Sequence, residues 1–287
     1  MDYLSSASLK RMARGQLFGR LGTVIGAFLL LLVSLLPFML LFFMSIVLVE
    51  SLAMAGRSIL PGFLFEIVSL FLTFLFLTVM LYGQNNLYMR IVCGKEAGAA
   101  DIFLGFKERF LRTVGAGFVP SLILLLFALP FVSSLNRMLT ELYTDEEFMT
   151  AVYSSVFTED GALVISPSPE IMNGVYERME PYSRMLTRGT LIFGAGLLLT
   201  GILFSQILFL ALDYEELSVS GILTENFRIF RRHGSRIVLT VLSFTPWFLL
   251  SMLYCTCIVA IWVFPYYKAT MSNFYIDLMR TGDRNGN

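Results

Sequence analysis

The chain has 287 residues, of which 56% are hydrophobic and 14% aromatic, and its formal net charge is zero. Its mean hydropathy of +0.74 excludes a soluble domain of this length. Nucleic acid is excluded as a partner, because the chain has no basic face with interleaved aromatic residues on a soluble domain. The composition predicts an all-α fold, a polytopic transmembrane helix bundle formed by 1–287 as a single domain.

Apolar runs of the length that crosses a membrane, about 20 residues, recur along the chain. The candidate spans are roughly 21–49, 62–82, 114–134, 189–212, 237–254 and 257–279. We expect the first to be retained, because it is about twice as long as the apolar part of a signal peptide and no cleavage site follows it. We divide the last two near Tyr254–Cys257, because one helix over both would be about twice the required length. Five spans, with the C-terminus outside, is the alternative to six.

The basic residues are concentrated in four segments that alternate with the apolar runs. These segments hold Lys10, Arg11, Arg14 and Arg20; Arg90, Lys95, Lys107, Arg109 and Arg112; Arg228, Arg231, Arg232 and Arg236; and Lys268, Arg280 and Arg284. Lys and Arg are retained on the cytoplasmic side of a membrane. The pattern therefore predicts a multi-pass protein of the bacterial cytoplasmic membrane with both termini in the cytoplasm.

The segment 135–188 is the only sizeable piece predicted outside the membrane, and acidic residues dominate it. Leu135, Met138 and Leu142 recur at helical spacing. A second short helix is expected to begin at Pro169 with Ser168 as its N-cap, and Pro181 is expected to start the helix that continues into the fourth span. The segment is predicted to form a helical cap on the extracytoplasmic side, and a solvated connection without a function is the alternative.

An internal pattern suggests three repeated hairpins. An aromatic-basic element precedes each outward-running span, and a proline-aromatic pair lies further along it. The three copies are Phe18-Gly-Arg20 with Pro37-Phe38, Phe110-Leu-Arg112 with Pro130-Phe131, and Phe230-Arg-Arg232 with Pro246-Trp247. Each hairpin is predicted to follow an amphipathic helix in the interface plane, over 101–112 and 221–232 in the second and third copies. An ordinary aromatic belt at the membrane surface is the alternative explanation.

Three blocks of the chain resemble a known family. The first block is the opening, Leu9-Lys10 with Ala13-Arg14, and the second is Gly83 to Phe110, GQNNLYMRIVCGKEAGAADIFLGFKERF. The third is the closing region, LTVLSFTPWFLLSMLY followed by IWVFPYYKATMSNFYIDL. These blocks are similar to the signatures of a bacterial integral membrane family, domain-of-unknown-function family nine-seven-five. Two features depart from that family: Ala-Leu-Pro-Phe at 128–131 and the long segment 135–188. The resemblance implies a six-helix bundle in the cytoplasmic membrane and carries over no catalytic residue.

The sequence offers no group of residues that would support catalysis. The only histidine, His233, stands among arginines, and Cys93, Cys255 and Cys257 have no metal-ligand spacing. No phosphate-binding loop and no nucleophile motif is present. We therefore expect a non-enzymatic protein with no cofactor and no metal, which works through lipid or protein interaction as a scaffold, an accessory subunit or an envelope-stress factor.

The expected partners are membrane lipids, anionic ones in particular, together with a protein partner or a second copy of the chain. The predicted headgroup contacts are Arg109, Arg112, Arg228, Arg231 and Arg232, with Phe106, Phe110, Phe227 and Phe230 below them. A purely topogenic role for these arginines is the alternative.

A transporter of a small solute, a peptide or a lipid is the competing hypothesis. Ionisable residues inside a membrane are functional candidates, and the clearest ones are Glu66 in the second span and Gln206, a polar residue of the fourth. Proline-broken spans can mark a substrate site. Because Glu66 lies near the start of its span, the alternative is an interfacial residue whose carboxylate reaches water, or a residue paired with a neighbouring helix.

Overall fold

The structure, a computed structural model, describes residues 3–156, 169–253 and 257–284. These residues form helices and connecting turns, and no strand occurs within these ranges. The helices are α1 (Ser6–Leu17), α2 (Leu21–Met54), α3 (Leu60–Val92), α4 (Leu104–Lys107), α5 (Phe110–Thr144), α6 (Glu146–Val156), α7 (Pro169–Leu203), α8 (Ile207–Asp213), α9 (Val219–Leu242), α10 (Thr245–Leu253) and α11 (Cys257–Arg284). A 3₁₀ turn, Ala99–Phe103, precedes α4.

Four segments in the described ranges are long and apolar enough to cross a membrane. They are α2, α3, the part Phe110–Glu141 of α5, and Met172–Asp213, which includes most of α7 and all of α8. Large apolar side chains lie on the surface of these helices; Leu40 of α2, for example, is 64% exposed. A surface of this kind is stable in hydrocarbon and not in water. The chain is therefore a helical membrane protein.

The predicted fifth and sixth spans are not among these four. The run 237–254 is interrupted, because α9 ends at Leu242 and α10 begins at Thr245 after a turn, and Pro246 lacks the amide hydrogen that a continuous helix would use. The sixth run forms α11, but Lys268, Ser272 and Asn273 make this helix more polar than the four segments that are apolar enough to cross a membrane. The division that we placed near Tyr254–Cys257 falls largely on 254–256, outside the described residues.

The helices are grouped into two compact units. The first comprises Met1–Pro37, Thr73–Leu122 and Leu199–Asn287, and the second comprises Phe38–Leu72 and Ile123–Leu198. In the first unit, α1 packs against α11. Its buried residues Leu9, Ala13 and Leu17 recur every four positions and form one face of the helix. Ser5 caps α1, since its side chain accepts a hydrogen bond from the Ser8 amide at 3.2 Å.

Glycines allow α3 to pack tightly against the segment that follows it. A Cβ atom at Gly105 would lie only 2.6 Å from the Val79 carbonyl oxygen, and one at Gly83 would overlap the backbone of Ile102.

The segment 101–112 is not the single interfacial helix that we predicted. It consists of the 3₁₀ turn, α4 and a break at Arg109, whose φ of 55° is unusual for a residue with a side chain.

The second unit contains parts of the long helices together with α6. Gly189 of α7 lies against α5, where a Cβ atom would come within 2.8 Å of the Phe131 Cα atom. The described residues of 135–188 are helical except at Asp145, between α5 and α6. Helix α7 runs continuously from Pro169 through Pro181, so the predicted helix start at Pro181 is wrong. The proposed N-cap Ser168 is outside the described residues. The position of this segment beyond the membrane stays a prediction.

Candidate functional site

Two of the five predicted headgroup arginines, Arg109 and Arg112, form contacts with other parts of the chain. Arg109 forms an ion pair with Glu215, and the Arg112 guanidinium donates to the backbone carbonyls of Tyr214 and Glu215. The hydrogen bond with Glu215 raises the pKa of Arg109 above its ordinary value. Both arginines fix the connection between α8 and α9 to the start of α5, and their positive charge is already partly compensated.

The other three arginines lie on α9. Arg228 pairs with Glu225 at 2.6 Å, one turn earlier on the same helix. Arg231 and Arg232 are exposed, and neither forms an ion pair within the described ranges. Phe227 is also exposed, and its ring centroid lies 5.7 Å from that of Phe204. The structure thus separates the five arginines into three that have partners, Arg109, Arg112 and Arg228, and two that form no ion pair within the described ranges, Arg231 and Arg232.

Glu66, the first transport candidate, is completely buried in the second unit. Its exposed fraction is 0%, and that of Asn136 is 6%. The Asn136 Nδ2 atom donates a hydrogen bond to Glu66 Oε2, which joins α3 to α5. Our alternative expectation was an interfacial or helix-paired residue. The carboxylate does not reach water in this structure, but it is paired with Asn136 of a neighbouring helix.

The Glu66–Asn136 pair is incompletely satisfied. Glu66 Oε1 and Asn136 Oδ1 are both buried without a hydrogen-bond partner. Each is an acceptor, so neither oxygen can satisfy the other unless a proton, a water or a cation lies between them. Unsatisfied buried polar groups are rare and costly in proteins. No sequence pattern pointed to this pair, since Asn136 lies in the segment that we assigned to the outside.

Gln206, the second transport candidate, is 1% exposed and belongs to the first unit. It lies at the break between α7 and α8, where its Nε2 atom donates to Ser205 Oγ at 3.2 Å. Its Oε1 atom is buried without a hydrogen-bond partner. The two transport candidates therefore share burial and an unsatisfied oxygen, although each lies in its own unit.

A pocket of about 730 Å³ lies in the first unit among α1, α2, α10 and α11. Its lining residues are Lys10, Arg14, Leu17, Phe18, Leu21, Val24, Ile25, Trp247, Ile261, Trp262, Val263, Pro265 and Tyr266. The walls are mainly apolar, and the two cations both come from α1. We did not predict this site from the sequence, although Lys10 and Arg14 are four residues apart, the spacing that places two side chains on one face of a helix.

Lys10 is partly withdrawn from water. Its Nζ atom lies 3.5 Å from the Ser243 carbonyl oxygen and 4.4 Å from the centre of the Phe244 ring. Burial lowers the pKa of this amine from its ordinary value. Arg14 is exposed, and no carboxylate pairs with either cation within the described ranges. The pocket can therefore accept a negative charge.

A polar cluster holds the N-terminal arm against α9 and α11 in the same unit. Arg236 donates to Asp277 Oδ2 and to the Leu4 carbonyl oxygen, each at 2.9 Å. Gln16 and Asn273 exchange hydrogen bonds between α1 and α11. These contacts fix α1, and with it the two cations, at the side of the pocket.

Comparison with known proteins adds no relative. No family model, no curated protein and no solved structure matches the chain. The resemblance to domain-of-unknown-function family nine-seven-five therefore stays a prediction.

Proposed function

We propose that the chain is a non-enzymatic protein of the bacterial cytoplasmic membrane that acts through interaction with membrane lipids, anionic ones in particular. In this role it serves as a scaffold, an accessory subunit or an envelope-stress factor for a protein partner or a second copy. The supporting observation is the surface of α9. Its buried residues Ile222 and Ile229 lie on one face, the exposed Phe227 and Arg231 lie on the opposite face, and the exposed Arg232 lies at the side between them. Basic and aromatic side chains on one exposed helix face suit a membrane interface.

Two sets of charge-neutral variants test this proposal. We expect Arg228→Gln, Arg231→Gln and Arg232→Gln together to reduce the amount of anionic lipid that co-purifies with the protein, as counted by native mass spectrometry. The matched control replaces Arg109 and Arg112 with Gln. This control should lower the thermal stability with a smaller change in bound lipid, because these side chains hold the α8–α9 connection. Unchanged lipid in the α9 variant, with normal insertion, contradicts the proposal.

The proposal includes six spans in three hairpins with both termini in the cytoplasm. Cysteine-accessibility mapping at position 155 and at the C-terminus tests this topology. The Ser155 side chain and Asn287 both lie outside the described part of the structure. We expect position 155 to react from the extracytoplasmic side and position 287 from the cytoplasm. A C-terminus that reacts from the outside would instead support five spans.

Transport is the second candidate function, and the burial of Glu66 and Gln206 favours it. Buried polar side chains with unsatisfied oxygens inside a membrane are typical of substrate or ion paths. A transporter requires that Glu66→Gln, in a folded protein reconstituted into vesicles, abolishes uptake of a solute that the unmodified protein carries. Glu50→Gln on α2 is the control, since Glu50 is only partly buried. Equal uptake by protein-free vesicles removes the support for this candidate.

A further inference from the structure

We propose that the pocket lined by α1, α2, α10 and α11 binds one anionic membrane lipid, with the headgroup phosphate at Lys10 and Arg14 and an acyl chain against the apolar walls. This inference rests on the proposed lipid interaction and assigns it a discrete site, on different residues from the surface of α9. The volume of about 730 Å³ lies within the range of pockets that enclose small ligands.

The charge of the pocket argues for an anion. Lys10 and Arg14 are the only charged residues in its lining, which contains no carboxylate among its described members. Two other cations of the same unit, Arg236 and Arg20, already have partners. Arg236 pairs with Asp277, and Arg20 donates to the carbonyls of Gly94 and Lys95. Lys10 contacts only a carbonyl oxygen and an aromatic ring, and these do not neutralise its charge.

The walls argue for a lipid over a small ion. Along α1 and the first turns of α2, the lining changes from Lys10 and Arg14 to Leu21, Val24 and Ile25. On α10 and α11, Trp247 and Trp262 are 54% and 55% exposed. Tryptophan is enriched at the membrane interface, where headgroups meet acyl chains. A free phosphate would use the cations and leave the apolar walls exposed, whereas an anionic lipid fits both parts.

The pocket supplies its own reporter. The chain contains two tryptophans, and Trp247 and Trp262 both line the pocket. A lipid with brominated acyl chains quenches tryptophan fluorescence on contact. The full-length protein, reconstituted into vesicles that contain brominated phosphatidylglycerol or brominated phosphatidylcholine, therefore reports relative binding at this site without a label.

We expect phosphatidylglycerol to be preferred over phosphatidylcholine by about 25-fold, since each cation near the headgroup contributes roughly fivefold. The double variant Lys10→Gln, Arg14→Gln should reduce this preference to about onefold. Arg11→Gln is the matched control, because Arg11 is an exposed cation of α1 that does not line the pocket, and it should leave the preference unchanged. The swap Lys10→Arg, Arg14→Lys keeps both charges and should retain most of the preference, which separates loss of charge from loss of folding.

Three outcomes overturn the inference. They are equal quenching by both lipids in the unmodified protein, an unchanged preference in the folded Lys10→Gln, Arg14→Gln variant, and relief of quenching by inorganic phosphate alone. If the double variant keeps its preference while the α9 variant loses co-purified lipid, the pocket is refuted and the proposed function stands. If neither variant changes lipid binding, both fail.

Discussion

The Glu66–Asn136 pair gives the sharpest prediction for stability. Asn136→Leu removes the donor to Glu66 Oε2 and leaves both oxygens of a completely buried carboxylate without a partner. The penalty for an unsatisfied buried polar group is about 1–3 kcal/mol and is larger for a charged group, so we expect a loss of about 3 kcal/mol in the free energy of unfolding. Glu66→Leu leaves the amide unpaired and should cost about 1–2 kcal/mol.

The double variant Glu66→Leu, Asn136→Leu tests the reasoning. Replacing both partners of a buried polar pair with apolar groups of similar shape is nearly neutral or stabilising, so the double variant should be more stable than Asn136→Leu. Titration with sodium dodecyl sulfate in detergent micelles measures the free energy of unfolding of the unmodified protein, both single variants and the double variant. The double-mutant cycle then isolates the coupling energy between Glu66 and Asn136. Glu50→Leu is the control and should change stability by about 0.5 kcal/mol or less. Additive losses in the double variant would refute the assignment of Glu66 and Asn136 as one buried unit.

The remaining predictions concern packing, the N-terminal arm, an N-cap and a released cation. Gly189→Ala should lower stability by about 1–3 kcal/mol, because its Cβ atom would meet Phe131, whereas Gly194→Ala on the same helix has open space and should show no loss. Arg236→Ala should lower the melting temperature and increase amide exchange in α1, because Asp277 and the Leu4 carbonyl lose their donor; unchanged exchange would contradict the clamp. Hydrogen bonds from the Phe148 amide and then from Arg178 lower the pKa of Asp145. Protection of the α6 amides against hydrogen exchange should therefore be full above the ordinary aspartate pKa of about 4 and should decrease as pH falls through the lowered pKa. Asp145→Ala should remove this pH dependence. Glu215→Gln frees Arg109 from its ion pair and should increase co-purified anionic lipid. No increase in a folded protein would show that Arg109 does not reach headgroups.

The sequence predicts the apolar helices well but not their full length. The candidate spans 21–49, 62–82 and 114–134 correspond to α2, α3 and α5, which extend beyond them. The extension of α3 illustrates the reason. Beyond residue 82 the helix contains Gln84 and Asn85, whose polarity ends a hydropathy-based span, yet both are buried. Asn85 is held there because its Oδ1 atom accepts a hydrogen bond from Lys268 at 2.9 Å, a contact that depends on a residue far along the chain.

The candidate sites were harder to predict because burial depends on tertiary contacts. The position of Glu66 near the start of its span suggested access to water, but spacing along one helix does not say which neighbour covers a side chain. Asn136 appeared to belong to an outside segment only because polar residues follow it. The pocket was missed for a similar reason, since α1 is a separate short helix whose cations face α10 and α11 only after the chain has folded.

The positions of the acidic residues explain which basic residues remain available for lipid. Five arginines were assigned to headgroups from their spacing alone, but Glu215 engages Arg109, and Glu225 engages Arg228. Asp277 similarly engages Arg236 on α9. Lys10, Arg14, Arg231 and Arg232 have no such partner within the described ranges. In a chain whose total charge is zero, a cation attracts an anionic lipid only where the fold has not already placed a carboxylate beside it. Under the proposed function, the arrangement of carboxylates, more than the density of arginines, therefore decides where we expect acidic lipid to bind.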